Sequence, residues 1–79
     1  MHAHALSPSM SRRQILQEVA AAERDACDLL AEAARLTPDP DDRRLFERLA
    51  ASEEASLRDL AREQERLEAE EFVQRALDV

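Results

Sequence analysis

A chain of 79 residues holds one small domain at most, and a core of that size is marginal without a disulfide, a metal or a partner. The single cysteine excludes a disulfide framework within the chain. The net charge of −7 argues against nucleic acid and anionic membranes as partners, because phosphate groups are recognised by basic surfaces.

The segment from Met1 to Pro8 is rich in small residues and is expected to be a disordered leader. It lacks the basic start and apolar stretch of a signal peptide, and no later run approaches the roughly 18–20 apolar residues of a membrane span. We therefore expect a cytoplasmic protein, or one inside a cytoplasmic compartment, with no membrane partner. His2 and His4 form a His-x-His pair that can bind copper or nickel weakly, although such a pair more often has no function.

The first helix is expected over about residues 11–37, within a single helical-hairpin domain that covers residues 9–79. The chain has no Gly and is rich in Ala, Leu, Glu and Arg, which favours helix. Ser11 and Gln14 have the spacing of a capping box. Apolar residues recur at helical spacing in two neighbouring stripes, as in a helix bundle. The first stripe holds Ile15, Val19, Ala22, Ala26, Leu29, Ala33 and Leu36, and the second holds Leu16, Ala20, Glu23, Cys27, Leu30 and Ala34.

The segment Thr37-Pro38-Asp39-Pro40 ends the first helix and begins the second, which is expected over about residues 40–77. Pro38 disfavours helical backbone at the residue before it, Asp39 suits the N-cap, and Pro40 suits the first helical position. So short a connection makes the two helices antiparallel neighbours. The main stripe of the second helix, widened by Leu45 and Leu49, holds Phe46, Ala50, Glu53, Leu57, Leu60, Gln64, Leu67 and Glu71.

The second helix is the longer one, and its far end has an apolar patch without a partner in its own hairpin. The patch consists of Phe72, Val73, Ala76 and Leu77. Two helices also cannot enclose a core by themselves. We therefore expect a homodimer or a higher homo-oligomer. The predicted fold class is all-α, an antiparallel two-helix hairpin that dimerises into a four-helix bundle.

Glu23 and Glu53 each occupy a place in an apolar stripe, where a carboxylate is costly unless it is paired, protonated or bound to a metal. They lie 16 and 14 residues from Asp39, and therefore at nearly equal height on the two helices. Two hairpins would bring four such carboxylates together, as in four-helix bundles that hold two iron or manganese ions. A glutamate in a stripe is otherwise an edge residue that reaches solvent. Gln64 and Glu71 indicate a polar layer or weaker burial toward the helix end.

One run of residues extends the pattern around the two glutamates. It reads Glu23…Leu30-Ala31…Pro38-Asp39-Pro40…Leu45-Phe46-x-x-Leu49-Ala50-x-x-Glu53-Glu54-x-x-Leu57. Over about Ile15 to Leu67 the chain resembles the metal-binding half of rubrerythrins and other ferritin-like proteins, and its two-helix form is most similar to the encapsulated ferritins. The resemblance implies a ferritin-like four-helix bundle whose di-iron ferroxidase site is completed by dimerisation. It also implies an encapsulin shell as a partner. This expectation rests on the resemblance alone, since no obvious encapsulation peptide follows Leu77.

Position 56 departs from the family pattern. Glu-x-x-His would place a histidine ligand three residues after Glu53, and this chain has Ser56 there. A serine hydroxyl is a poor ligand for a divalent ion beside an imidazole. Three alternatives remain open: a site of carboxylates alone, a site that has lost its metal, and a substitution that disables the site. Cys27, one turn beyond Glu23, is a further candidate ligand, although a lone cysteine on an apolar face is usually a small core residue.

The leading hypothesis is a ferritin-like protein that binds Fe(II), with Mn or another divalent metal as alternatives, and oxidises iron with O₂ or peroxide as a ferroxidase. Glu23 and Glu53 are the predicted catalytic and metal-binding residues, and Ser56 stands at the remaining ligand position. The alternative is a non-catalytic helical-hairpin module for oligomerisation or interaction, whose wide stripes only pack against partners. The sequence contains no nucleophilic triad, phosphate-binding loop or zinc-finger spacing.

Overall fold

The computed structural model describes residues 5–78 and has two α-helices. Helix α1 spans Arg12–Leu36 and helix α2 spans Pro40–Leu77, and the described residues include no strand, so the predicted all-helical class is confirmed. The molecule measures 60 × 22 × 13 Å along its principal axes. No helix within residues 5–78 is long and apolar enough to cross a membrane. His2 and His4, the weak copper or nickel candidate of the sequence, lie outside the described residues.

Capping interactions begin each helix. At the start of α1, the backbone N–H of Gln14 donates to Ser11 Oγ over 3.1 Å, and the N–H of Ser11 donates to Gln14 Oε1 over 2.7 Å. This reciprocal pair is the predicted capping box. At the start of α2, the N–H of Asp41 donates to Asp39 Oδ1 over 3.2 Å, and Pro40 occupies the first helical position.

The turn between the helices is held by hydrogen bonds from both sides. The N–H and Oγ1 of Thr37 both donate to Ala33 O, over 3.0 and 2.5 Å. The Arg43 guanidinium then donates two hydrogen bonds, of 3.2 and 3.3 Å, to Thr37 O. Carbonyl groups at the end of a helix lack partners within the helix, and these bonds supply them. The turn is therefore well defined, and α2 returns alongside α1.

Two contacts define the alignment of α1 with α2. In the half of the hairpin nearer the turn, Cys27 Sγ lies 3.9 Å from Ala50 O and donates a weak hydrogen bond to it. At the other end of α1, Arg13 forms ion pairs with Glu71 at 3.2 Å and with Glu68 at 3.5 Å. The carboxylate of Glu71, which interrupts the apolar stripe of α2, is thus paired with a cation of the opposite helix.

The core of the single chain is thin. Only Ala20, Ala34 and Leu67 are buried among the apolar residues described, and no large side chain is fully enclosed there. The chain exposes 6010 Å², whereas a compact monomer of 9.0 kDa exposes about 4,900 Å². The whole chain, including its N-terminal segment and the far end of α2, thus exposes about 1,100 Å² more than a compact monomer of its mass.

Helix α2 extends well past the start of α1. In this extension the side chains of Phe72 and Leu77 are 67% and 74% exposed. Ion pairs on the surface of α2 support the helix just before the extension, where Arg66 pairs with both Glu63 and Glu70. Pairs at this spacing stabilise helices that have no tertiary packing. The far end of α2 is therefore helical although it does not pack against α1.

Candidate metal centre

Glu23 lies at an inner position of α1 whose equivalents one heptad away are apolar. Leu16 precedes it by seven residues, Leu30 follows it by seven, and all three side chains are half-buried. Seven residues are close to two helical turns, so the three side chains leave the helix in nearly the same direction. Glu23 thus takes a place that leucine takes on either side of it.

Glu53 repeats this arrangement in α2. Phe46 precedes it by seven residues and Leu60 follows it by seven, and these three side chains are again half-buried. The side chains of Glu47 and Glu54 are exposed, as expected for residues that face solvent. Glu53 therefore differs in burial from Glu47 and Glu54, and both inner glutamates are bracketed by apolar layers.

The alignment of the helices brings Glu23 and Glu53 to one height. The contact between Cys27 and Ala50 fixes a common level on the two helices. Glu23 lies four residues before Cys27 and Glu53 lies three residues after Ala50, which is the same direction along an antiparallel pair. At 1.5 Å per residue these steps are about 6 Å and about 4.5 Å. The two carboxylates therefore originate at levels that differ by about 1.5 Å.

One oxygen of Glu23 has no partner. Glu23 Oε2 is inaccessible to solvent, and no donor among the described residues forms a hydrogen bond with it. An unsatisfied buried polar atom costs about 1–3 kcal/mol. Such atoms are few in native proteins, and a water molecule or an ion that satisfies them is an established explanation. Glu23 Oε2 therefore has an open place for a hydrogen-bond donor or a cation.

The hairpin has two broad sides, and one of them is charged. Ala31 and Arg35 of α1 line a shallow groove there together with Glu47, Ala51 and Glu54 of α2. Each of these residues directly follows, in the sequence, a residue of the stripe that faces the other helix. Those stripe residues are Leu30, Ala34, Phe46, Ala50 and Glu53. We call this side the charged face.

The opposite side, which we call the apolar face, consists of Ile15, Leu29, Leu36, Leu45 and Leu49. These side chains are between 37% and 64% exposed. Four of them come one position before a place in the facing stripe, and Leu36 follows Leu29 by seven residues. One step along a helix turns the side chain by about 100°. The two sets therefore emerge on opposite sides of the hairpin. Within the described part of the chain where α1 and α2 are paired, all exposed large apolar side chains lie on the apolar face.

Ser56 belongs to the apolar face as well. It follows Leu49 by seven residues, and its side chain is exposed. It also lies three residues after Glu53, so the two are neighbours on the surface of α2. In the single chain Ser56 is thus turned away from Glu23. A partner on the apolar face would therefore cover Ser56.

Cys27 is held in its protonated form. Burial raises the pKa of the Cys27 thiol, and the negative charges of Glu54 and Asp28 raise it further. The thiol therefore stays protonated at neutral pH and acts as a weak donor to Ala50 O. Metals bind the thiolate form. Cys27 accordingly behaves as a small packed residue in this chain and not as a ready metal ligand.

A single chain does not complete a metal site. Within residues 5–78, no group of three or more His, Cys, Asp or Glu side chains is gathered closely enough to hold a metal ion. Glu23 and Glu53 supply two carboxylates at one level, and di-metal sites in helix bundles use about four carboxylates with further ligands. A di-metal site would therefore need further ligands from outside the single chain.

Comparison with known proteins gives no assignment. No family model matches the chain, and neither curated proteins nor solved structures give a match.

Proposed function

We propose that two copies of the hairpin pack through their apolar faces to form a four-helix bundle. Three observations support this: the thin core, the five exposed apolar side chains on one side, and the excess exposed surface. The excess of about 1,100 Å² is comparable to the roughly 800 Å² that each partner buries in a standard protein interface. The charged face stays outside in such a bundle and keeps it soluble.

In this bundle the inner positions converge, and two copies each of Glu23 and Glu53 surround a central site for two divalent ions. The observation that carries this proposal is Glu23 Oε2, an oxygen closed off from solvent and without a hydrogen bond. The apolar layers one heptad above and below, Leu16 with Leu60 and Leu30 with Phe46, would exclude water from both ends of the site. A cation bound there removes the cost of gathering four negative charges.

The function that these residues support best is ferritin-like binding of Fe(II), with its oxidation by O₂ or peroxide as the proposed activity. Iron is the substrate in this proposal. Carboxylate oxygens suit it as ligands, because they neutralise its charge and can bridge two ions. Glu23 and Glu53 would bind and orient the ions, and the Ser56 hydroxyl would stand beside them where ferritin-like proteins have histidine.

A metal titration tests the site. The protein is stripped with a chelator and titrated with Fe(II) without oxygen, and air is then admitted while ferric absorbance is followed. We expect about one ion per chain, which is two per dimer. Glu53→Ala should abolish binding, whereas Glu54→Ala, a change of the exposed neighbouring carboxylate, should preserve it. Equal binding by the two variants would contradict the proposed site.

A pair of charge insertions tests the bundle. Leu29→Glu places a charge on the apolar face, and Ala51→Glu places the same charge on the charged face. Light scattering at micromolar concentration should show a dimer or larger oligomer for the parent and for Ala51→Glu, and dissociation for Leu29→Glu. A folded, helical monomer for the parent would contradict the bundle.

The second candidate function is a non-catalytic hairpin module that only oligomerises or binds other helices. Ser56 favours it, because the position lacks the imidazole on which a di-iron site usually depends. In that case Leu29→Glu still dissociates the oligomer, but the chelator-treated parent takes up no more Fe(II) than Glu53→Ala does.

The resemblance to encapsulated ferritins adds an encapsulin shell to the proposed partners. Co-expression with a shell protein, followed by sedimentation of intact shells and protease treatment, tests this association. Protection of the chain inside the shell would support it, and complete digestion of the chain beside intact shells would contradict it.

A further inference from the structure

We propose that the site formed by two copies discriminates weakly among divalent cations and accepts hard ions such as Mn²⁺ about as well as Zn²⁺, with Ser56 as the residue that sets this selectivity. The inference rests on the proposed two-copy site.

All donors that the chain directs to the site are oxygens. Glu23 and Glu53 provide carboxylates, and Ser56 provides a hydroxyl on the adjoining strip of α2. No histidine lies on either helix. The nearest sulfur, on Cys27, has a raised pKa and already donates to Ala50 O.

Ser56 is the position from which a nitrogen donor would act. It lies three residues after Glu53, on the face that the second copy covers, so a side chain there is enclosed with the glutamates in the bundle. The rest of the shell around the inner positions is apolar, with leucine and phenylalanine one heptad away. Position 56 therefore decides whether the site contains a nitrogen ligand.

The donor set determines how strongly the site distinguishes metals. Carboxylate and hydroxyl oxygens suit Mg²⁺, Ca²⁺ and Mn²⁺, whereas imidazole favours Zn²⁺, Cu²⁺ and Ni²⁺. Without imidazole, the increase in affinity from Mn²⁺ to Zn²⁺ is expected to be small. A histidine at position 56 should make that increase steeper, because the nitrogen adds affinity mainly for the later metals.

The experiment measures anaerobic binding of Mn²⁺ and Zn²⁺ by calorimetry in the parent, in Ser56→His and in Ala51→His. Ala51 is also exposed and lies on the charged face, which stays outside the proposed bundle, so a histidine there is near Glu53 in sequence but directed away from the site. We expect Kd values for the two metals within about tenfold of each other in the parent and in Ala51→His, and a preference for Zn²⁺ increased by at least about tenfold in Ser56→His. Electron paramagnetic resonance of bound Mn²⁺ gives an independent readout, since ligation by nitrogen alters the hyperfine pattern only in Ser56→His.

Two results would overturn the inference while leaving the proposed site intact. One is a parent that binds both metals through Glu53, as shown by loss in Glu53→Ala, yet prefers Zn²⁺ by more than about a hundredfold. The other is the same Mn²⁺ to Zn²⁺ ratio in Ser56→His as in the parent. Absence of binding of either metal to the parent at millimolar concentration would instead reject the proposed site, and the inference with it.

Discussion

Replacing Glu23 by leucine is expected to stabilise the metal-free protein by about 2 kcal/mol. One part of this gain comes from Glu23 Oε2, whose lack of a partner costs about 1–3 kcal/mol. The other part comes from the leucine side chain, which at a half-buried position contributes about half of the 1.5–3 kcal/mol of full burial. The net gain lies at the lower end of the sum of these two parts, because the new side chain has to pack where a carboxylate packed before.

Bound metal should reverse the order of stability of the parent and Glu23→Leu. A ligand at 100 times its Kd stabilises the folded state by about 2.7 kcal/mol, provided that it binds only that state. The parent should gain this amount, whereas Glu23→Leu has lost a ligand and should gain little. The variant is therefore expected to be the more stable protein with chelator and the less stable one with saturating Mn²⁺ or with Fe(II) under anaerobic conditions.

Thermal unfolding followed by circular dichroism measures both effects. Protein concentration has to be held constant, because the stability of an oligomer depends on it. For a domain of this size each kcal/mol corresponds to about 4–8 °C, so the variant should melt about 8–16 °C above the parent in chelator. Glu54→Leu, at an exposed position, is the matched control and should change stability by less than about 0.5 kcal/mol.

Two outcomes would refute this reasoning. If Glu23→Leu melts at or below the temperature of the parent in chelator, the carboxylate of Glu23 is satisfied in solution and the argument from its orphaned oxygen fails. If the variant gains as much stability from metal as the parent does, Glu23 is not a metal ligand.

Three further predictions follow from the described contacts. Leu67→Ala should lower the free energy of unfolding by about 2–4 kcal/mol in urea denaturation, because Leu67 is the one large apolar side chain described as buried, and a loss under about 1 kcal/mol would mean that the site collapses or is open in solution. Arg13→Ala should cost less than about 1 kcal/mol, since its ion pairs are exposed, and a loss that persists unchanged in high salt would show packing and not charge to be the cause. Cys27 should react with iodoacetamide more slowly than a free cysteine at pH 8, because its raised pKa leaves less thiolate, and the rate should increase as the pH rises. Glu54→Gln removes one of the charges that raise this pKa and should accelerate the reaction, whereas an unchanged rate would assign the slow reaction to poor access alone.

Short-range signals in the sequence determined the elements of this fold. The capping box at Ser11 and the Asp39-Pro40 start act through bonds that span only a few residues, so their outcome does not depend on the rest of the molecule. The equal height of Glu23 and Glu53 also follows from the sequence, because a short turn leaves little freedom in the alignment of two antiparallel helices.

Other features depended on the packing of the two helices. Arg13 and Glu71 are 58 residues apart, and their ion pair exists only because the helices bring the two ends together. The hydrogen bond from Cys27 to Ala50 O likewise depends on which side of α1 meets α2. No local pattern contains this information, since each partner has many other residues of suitable chemistry in the chain.

The sequence by itself determined two amphipathic helices, their caps and the acidic interruptions in their stripes, whereas the tertiary structure decided which stripe faces inward. The two stripes of α1 have the same spacing, so periodicity cannot rank them. The structure directs Ala20 and Ala34 toward α2, and leaves Leu29 exposed on the other stripe. Small side chains let two helices approach closely, and that choice turns the larger apolar residues, together with Ser56, to the outside of the hairpin.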